Sequence, residues 1–239
     1  MKRKNVAAFV IAACAIVAIA GTAGRADAKS KPAPYAPHIN PAEFQSTVDH
    51  PFFPLKPGTR FTYRETIDGK ALTAESTVLS ESKTVMGVHC VVVHDVLRDH
   101  DTVIEDTYDW YAQDLKGNVW YFGENTKEFM PHGRVVTEGS WEGGVGGGIP
   151  GIIMPAQLTA GAPYRQEYLR GHAEDMAQIL AVNDSLTVPF GTFGGCLRTK
   201  EWSMLEAGGE KKWYVRGVGF ARSESESGEV SVLISVKHP

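Results

Sequence analysis

The sequence predicts an all-β protein, β-rich with room for one short helix, built on a curved antiparallel sheet or half-barrel of about ten strands. Three observations carry this. From Arg60 onward, short runs alternate between apolar and polar residues, which is the period of a strand with one face buried. Turn-forming residues separate these runs at short intervals. Prolines crowd into the stretch before Gly58, where helix and inner strand both fail for want of a backbone donor.

Arg60–Ile67 alternates, Asp68-Gly69 supplies a turn, and Ala71–Ser80 alternates again, a hairpin pattern. Thr84–Leu97 follows, with Val88, Cys90, Val91, Val92 and Val93 apolar on both faces, as in a central strand buried on two sides. Thr102–Gln113, a turn at Asp114–Asn118 and Val119–Phe122 predict a second hairpin. Further strands are expected at Arg134–Thr137, Tyr164–Leu169, Asp184–Val188, Leu197–Leu205, Lys211–Val215 and Val230–Val236. Ala173–Leu180 suits either a short helix or the start of a strand running into Leu186–Val188.

The chain divides into residues 1–28, a proline-rich arm over 29–58 and one β-rich domain over 59–239. Lys2, Arg3 and Lys4, an apolar run from Val6 to Ala20, and Ala26-Asp27-Ala28 have the three parts of a cleavable signal peptide. The apolar run is shorter than the ~20 residues of a spanning helix, and no later segment approaches that length. The expected location is therefore exported, periplasmic or extracellular, with no transmembrane segment after cleavage. Ile11-Ala12-Ala13-Cys14 is a weaker lipoprotein signal, because the apolar run continues past Cys14. Taking the four basic and one acidic residue of 1–28 from the 24 and 28 of the whole chain leaves twenty against twenty-seven, a net −7. Such a balance repels phosphate backbones and argues against nucleic acid as a partner. Cleavage also leaves Cys90 and Cys196, an even count for an oxidising compartment, and predicts a disulfide worth ~4 kcal/mol by chain entropy. Two buried thiols are the alternative, since valines surround Cys90.

The densest chemistry lies in Glu105–Glu124. On the first strand Ile104, Asp106, Tyr108, Trp110 and Ala112 share one face, and Glu105, Thr107, Asp109 and Tyr111 share the other. Asp106 keeps company with large apolar side chains, which predicts a buried carboxyl with a raised pKa or a cation partner. Trp120, Tyr121, Phe122 and Glu124 return alongside, so the hairpin suits a ligand wall of aromatics and carboxylates; a cross-strand aromatic core with acids on the wet face fits as well. The glycine-rich Glu138–Gly151 holds Trp141 and Glu142 on a pliable loop, either a lid or a plain connection. His172 with Glu174 and Asp175 matches no defined metal spacing, and no D-x-D-x-D-G loop is present, so no cofactor is expected beyond calcium held by carboxylate oxygens. There is no G-x-S-x-G nucleophile elbow.

Pro189, Gly191, Thr192, Phe193, Cys196 and Leu197, together with Tyr214, Gly217, Val218 and Gly219, form a "VPxGTF…CL" entry and a "YxxGVG" closing strand. In these the chain resembles an uncharacterised family of exported bacterial β-proteins, TapB-type proteins and their relatives, compared in fold with lipoprotein-carrier half-barrels. The resemblance implies an apolar ligand in a concave face and assigns no catalytic residue. The expected function is a non-enzymatic, envelope-associated binding protein for a small amphipathic or lipid-like molecule, with Asp106, Tyr108, Trp110, Trp120, Tyr121, Glu124, Trp141 and Glu174 as candidate ligand-binding residues. The alternatives are an exported carboxylate-dependent hydrolase using Asp106, Glu124 and Glu174, and a calcium-stabilised structural module.

Overall fold

The computed structural model describes residues 35–239, so the signal peptide and Cys14 lie outside the described residues. Strands come in chain order as β1 (Phe44–Gln45), β2 (Val48–His50), β3 (Phe53–Leu55), β4 (Arg60–Ile67), β5 (Lys70–Val85) and β6 (Val88–Asp99). They continue as β7 (Thr102–Asp114), β8 (Val119–Phe129), β9 (Val135–Val136), β10 (Trp141–Glu142), β11 (Ile149–Met154), β12 (Tyr164–Arg165) and β13 (Glu167–Tyr168). The last five are β14 (Asp175–Val188), β15 (Gly191–Ser203), β16 (Glu210–Val215), β17 (Gly219–Ser225) and β18 (Val230–Lys237). Two three-residue 3-10 turns, Pro41–Glu43 and Pro131–Gly133, are the helical elements among the described residues. None of these is long and apolar enough to cross a membrane as a helix.

The principal sheet runs β12-β14-β15-β16-β17-β18-β4-β5-β6-β7-β8-β11-β13, thirteen antiparallel strands nearly closed into a barrel. That exceeds the ten or so expected: Ile149–Met154 and Gly219–Ser225 also form strands, and neither alternates apolar and polar residues cleanly. The two edges meet through one short stretch: Tyr164 and Arg165 pair with β14, while Glu167 and Tyr168 pair with β11. Between them the Gln166 N–H donates to the Asp175 carbonyl at 2.8 Å. Gly151 makes this crossing possible, since a Cβ there would collide with the Gln166 backbone.

The Asp68-Gly69 hairpin forms as β4 and β5. Three expectations change. The single strand over Thr84–Leu97 is two, because Met86 and Gly87 turn with positive φ inside an otherwise apolar run. The helix alternative at Ala173–Leu180 gives way to β14, which pairs with β15 along its length. No disulfide forms among the described residues: Cys90 and Cys196 are both buried free thiols. Cys90 packs with Val88, Val92, Trp110 and Phe122 in a cluster on the outer side of the sheet, whereas Cys196 belongs to the main core. Burial pushes the Cys90 thiol up to about 12, so alkylation of the native protein should be slow. A reducing agent should leave its melting temperature unchanged, and thiol titration in denaturant should return both cysteines as free.

Two apolar clusters flank the sheet. The larger fills the barrel, with Phe53, Phe61, Tyr63, Val93, Tyr214, Phe220 and Leu233 among its members. The smaller lies outside β5–β8 and is covered by Ile39 and Phe44 of the arm. Phe44 stacks edge-on against Trp120 and Phe122. Phe52 and Phe53 are buried, and Phe53 meets Tyr111 at 5.3 Å between ring centroids.

Candidate functional site

Directly paired residues of antiparallel strands share a face, so register decides what enters the barrel. One row runs Val78, Val93, Asp109, Glu124, Trp141 across β5, β6, β7, β8 and β10. The next runs Phe61, Ser76, Asp95, Thr107, Thr126. On the other side of the barrel Tyr164, Ala177, Glu201 and Glu210 align, beside Thr199, Lys212, Ser223, Ser231 and Glu65. The interior thus carries Glu65, Asp95, Asp109, Glu124, Glu167, Glu201 and Glu210, all buried, with Lys212 as the buried cation among the described residues.

Around Asp109 the geometry is tight. The Tyr121 hydroxyl donates to Asp109 Oδ1 at 2.6 Å, and its ring stacks on Tyr111 at 5.0 Å. Trp141 approaches Tyr121 edge-on at 5.5 Å. Gly123 brings Trp141 so close, because its φ of +128° and the Trp141 carbonyl leave no room for a Cβ. Burial raises the Asp109 carboxyl well above its ordinary value, and the charge of Asp95 adds to it. Burial likewise pushes Asp95 up to about 7, with Ser76 and Asp109 near enough to pull it back, though neither makes an ordinary hydrogen bond to it. Both carboxyls of this pair are thus held above their ordinary range, Asp109 further than Asp95. Glu124 is raised by burial, then by Asp109 and Glu167. Glu167 is raised by burial, then by Asp175, with the Trp141 indole acting in the opposite sense.

Across the barrel, Lys212 Nζ lies 3.0 Å from both Glu201 Oε2 and Glu210 Oε1. Glu201 also accepts from Thr199 at 2.7 Å, Tyr214 at 2.9 Å and Gln166 at 3.2 Å. Burial pushes Glu201 up, but Lys212 and these hydroxyls outweigh it and hold the carboxyl below its ordinary value. Glu210 has less support, and burial takes it up to about 7.

Below the acids, a cavity of about 20 Å³ is lined by Phe53, Leu55, Phe61, Tyr63, Val93 and Phe220, with Ser76 on its wall. That is room for about one water. Among the described residues no group of three or more His, Cys, Asp or Glu side chains is placed to hold a metal ion.

The residues expected to bind ligand are divided by the sheet. Tyr121, Glu124 and Trp141 face the interior together. Asp106, Tyr108, Trp110 and Trp120 lie on the outer face, where Trp110 and Trp120 join the smaller apolar cluster. Asp106 is partly exposed and pairs with His94 Nε2 at 3.2 Å, and His94 stacks on Tyr108 at 4.2 Å. Of the two expectations for Asp106, burial does not hold: the buried carboxyls of this strand are Asp109, which faces the interior, and Asp114. Glu174 sits in the loop before β14, accepting from the Gly171 N–H at 2.8 Å. Asp95, Asp109, Glu167, Glu201, Glu210 and Lys212 were not among the expected residues. The alternation of Glu105, Thr107, Asp109 and Tyr111 is the signal that points to Asp109.

No family model and no curated protein matches the chain. Among solved structures it is similar to one described as "a putative lipoprotein from Parabacteroides distasonis", with 16% identity, a TM-score of 0.42, and coverage of 78% of this chain and 98% of that one. A likeness at that level carries no inference about what this chain binds.

Proposed function

We propose that the protein is an exported, non-enzymatic binding protein of the cell envelope whose barrel holds a small amphipathic molecule. The observation that carries this is the two-toned interior: an apolar cavity bounded by Phe53, Phe61, Tyr63 and Phe220 adjoins, through Ser76, the row of Asp95 and Thr107. An apolar lining with a few convergent polar groups is the usual composition of a small-ligand site. The half-barrel likeness of Pro189–Leu197 and Tyr214–Gly219 and the signal-peptide pattern of residues 1–28 support the same reading. The apolar part of the ligand enters where the cavity begins, and neighbouring side chains give way to receive it.

The test is organic extraction and native mass spectrometry of the purified protein, followed by titration with the neutral probe Nile red. Saturable binding near one probe per barrel is expected. Val218→Phe, which directs a ring at the cavity from its rim, should weaken it about tenfold, a loss of roughly 1.4 kcal/mol. No extracted ligand together with no saturable probe signal would end the proposal.

The hydrolase alternative finds its interior acids in Asp95, Asp109 and Glu124, the last two directly opposite each other, rather than in Asp106 and Glu174. Ester, glycan or peptide turnover that disappears in Asp109→Asn would favour it over binding alone.

A further inference from the structure

The β2–β3 hairpin stands apart from the wall that surrounds it. Its strands pair with each other, Val48 with Leu55 and His50 with Phe53, as a two-stranded sheet of their own. On one side the Gln113 side chain of β7 accepts from the Asp49 and His50 N–H groups, both at 2.9 Å, and donates to Asp49 Oδ1 at 2.8 Å. On the other, in the turn between β16 and β17, the Gly217 N–H donates to the Pro51 carbonyl at 2.7 Å. There the Arg216 guanidinium lies over the Phe52 ring at 4.6 Å. In the sheet order β17, β18, β4, β5 and β6 separate β16 from β7, so the hairpin bridges across one end of the barrel rather than lying along its wall.

Phe53 reaches inward from this bridge. Its ring meets Tyr111 of β7 at 5.3 Å and Tyr214 of β16 at 6.4 Å between centroids, and it is almost wholly buried. Phe53, Pro54 and Leu55 form one side of the small apolar cavity, and Phe61, Val93 and Phe220 form the other. At about 20 Å³ it falls far short of the roughly 150 Å³ that admits a benzene-sized molecule. A ligand therefore needs one side to yield. The barrel side is carried by β4, β6 and β17, each held by a backbone ladder along both edges. The hairpin has no such ladder to the principal sheet among the described residues, so it is the side that opens at the lower cost.

We propose that the β2–β3 hairpin is a displaceable plug: Phe53 fills the apolar site of the barrel while the hairpin is closed, and the apolar part of the ligand takes its place when the hairpin swings out. This rests on the binding reading above and adds how the site opens and what it selects. The place that Phe53 vacates, bounded by Tyr111 and Tyr214, takes an apolar group of the size of a phenyl ring. The closed plug competes with the ligand, so each contact that holds it shut reduces the open fraction and with it the apparent affinity.

The test measures Nile red binding to the wild type, Gln113→Ala and Phe53→Ala, with amide hydrogen exchange of the wild type before and after saturation. Gln113→Ala releases the hairpin and Phe53→Ala removes the competing ring, so each should bind the probe about tenfold more tightly, although each melts lower. Should either fail to fold by circular dichroism, Arg216→Ala, at an exposed position, serves in its place. Saturation of the wild type should speed exchange of the Asp49, His50 and Gly217 amides, whose partners the open hairpin gives up. Variants that melt lower yet bind no more tightly, with those amides as protected as before, would make the hairpin a fixed wall and overturn the plug while the binding reading stands. Absence of saturable binding in the wild type and the variants alike would overturn both.

Discussion

Lys212→Met should cost about 3–5 kcal/mol, the usual penalty for removing one partner from a buried ion pair. In the native barrel its ammonium lies 3.0 Å from Glu201 and from Glu210, and all three side chains are almost wholly enclosed. Methionine fills much the same volume but leaves two carboxyls buried without a cation. For a chain of this size the melting temperature falls by about 2–4 °C per kcal/mol, so a drop of roughly 10 °C is expected by calorimetry. The loss should be smaller at pH 5 than at pH 8, because both carboxyls then approach protonation. The triple variant with Glu201→Gln and Glu210→Gln should recover much of the stability. If Lys212→Met melts with the wild type, the ion cluster contributes nothing to stability.

The second large effect is a fall in stability as pH rises from about 5 to 8. Asp95 and Glu210, pushed up to about 7, and Glu105, pushed up to about 8, keep their protons in the native barrel well above the pH at which they ionise in the unfolded chain. Asp109, Glu124 and Glu167 are raised in the same direction. Between those limits the native state binds more protons than the unfolded one, so unfolding free energy declines with pH, by about 1.4 kcal/mol per unit for each such group. The stabilisation is complete below the unfolded values near 4 and is lost as pH passes through the native values. Glu201 works the other way: held low chiefly by Lys212, it contributes stability above its unfolded value and loses it as pH falls through its native value. The melting temperature should therefore peak on the acid side of neutrality. Asp109→Asn should change little at pH 5 and raise stability at pH 8. A flat profile from pH 5 to 8 would mean that the interior acids are solvated or paired.

Much of the strand content was legible from alternation, because a strand with one buried face must alternate. The hairpin at Asp68-Gly69 and the strands ending at Val215 and Lys237 follow from that rule. What misled was the choice of face on β7. Apolar company marked Asp106, Tyr108 and Trp110 as the inner side, yet both faces of that strand are covered. The arm lays Ile39 and Phe44 over the outer one, so its aromatics are buried without entering the barrel. The inner face instead holds Asp109 and Thr107, polar residues that a strand read alone assigns to water.

The cysteine pair failed for a related reason. Parity and compartment made a bridge reasonable, but parity carries no geometry. Cys90 faces outward on β6 and Cys196 lies in the barrel core on β15, with five strands between theirs in the sheet order.

By itself the sequence determined that this protein is β-built, which residues make its turns, and that its charged groups are mostly acidic. Those properties are local, set by propensity and by the two-residue period of a pleat. Only the tertiary structure decided that seven carboxyls share an enclosed interior with one lysine. Facing depends on register, on where bulges fall, and on which distant strand closes the ring. Those are relations between strands far apart in the chain, and no period within a single strand encodes them.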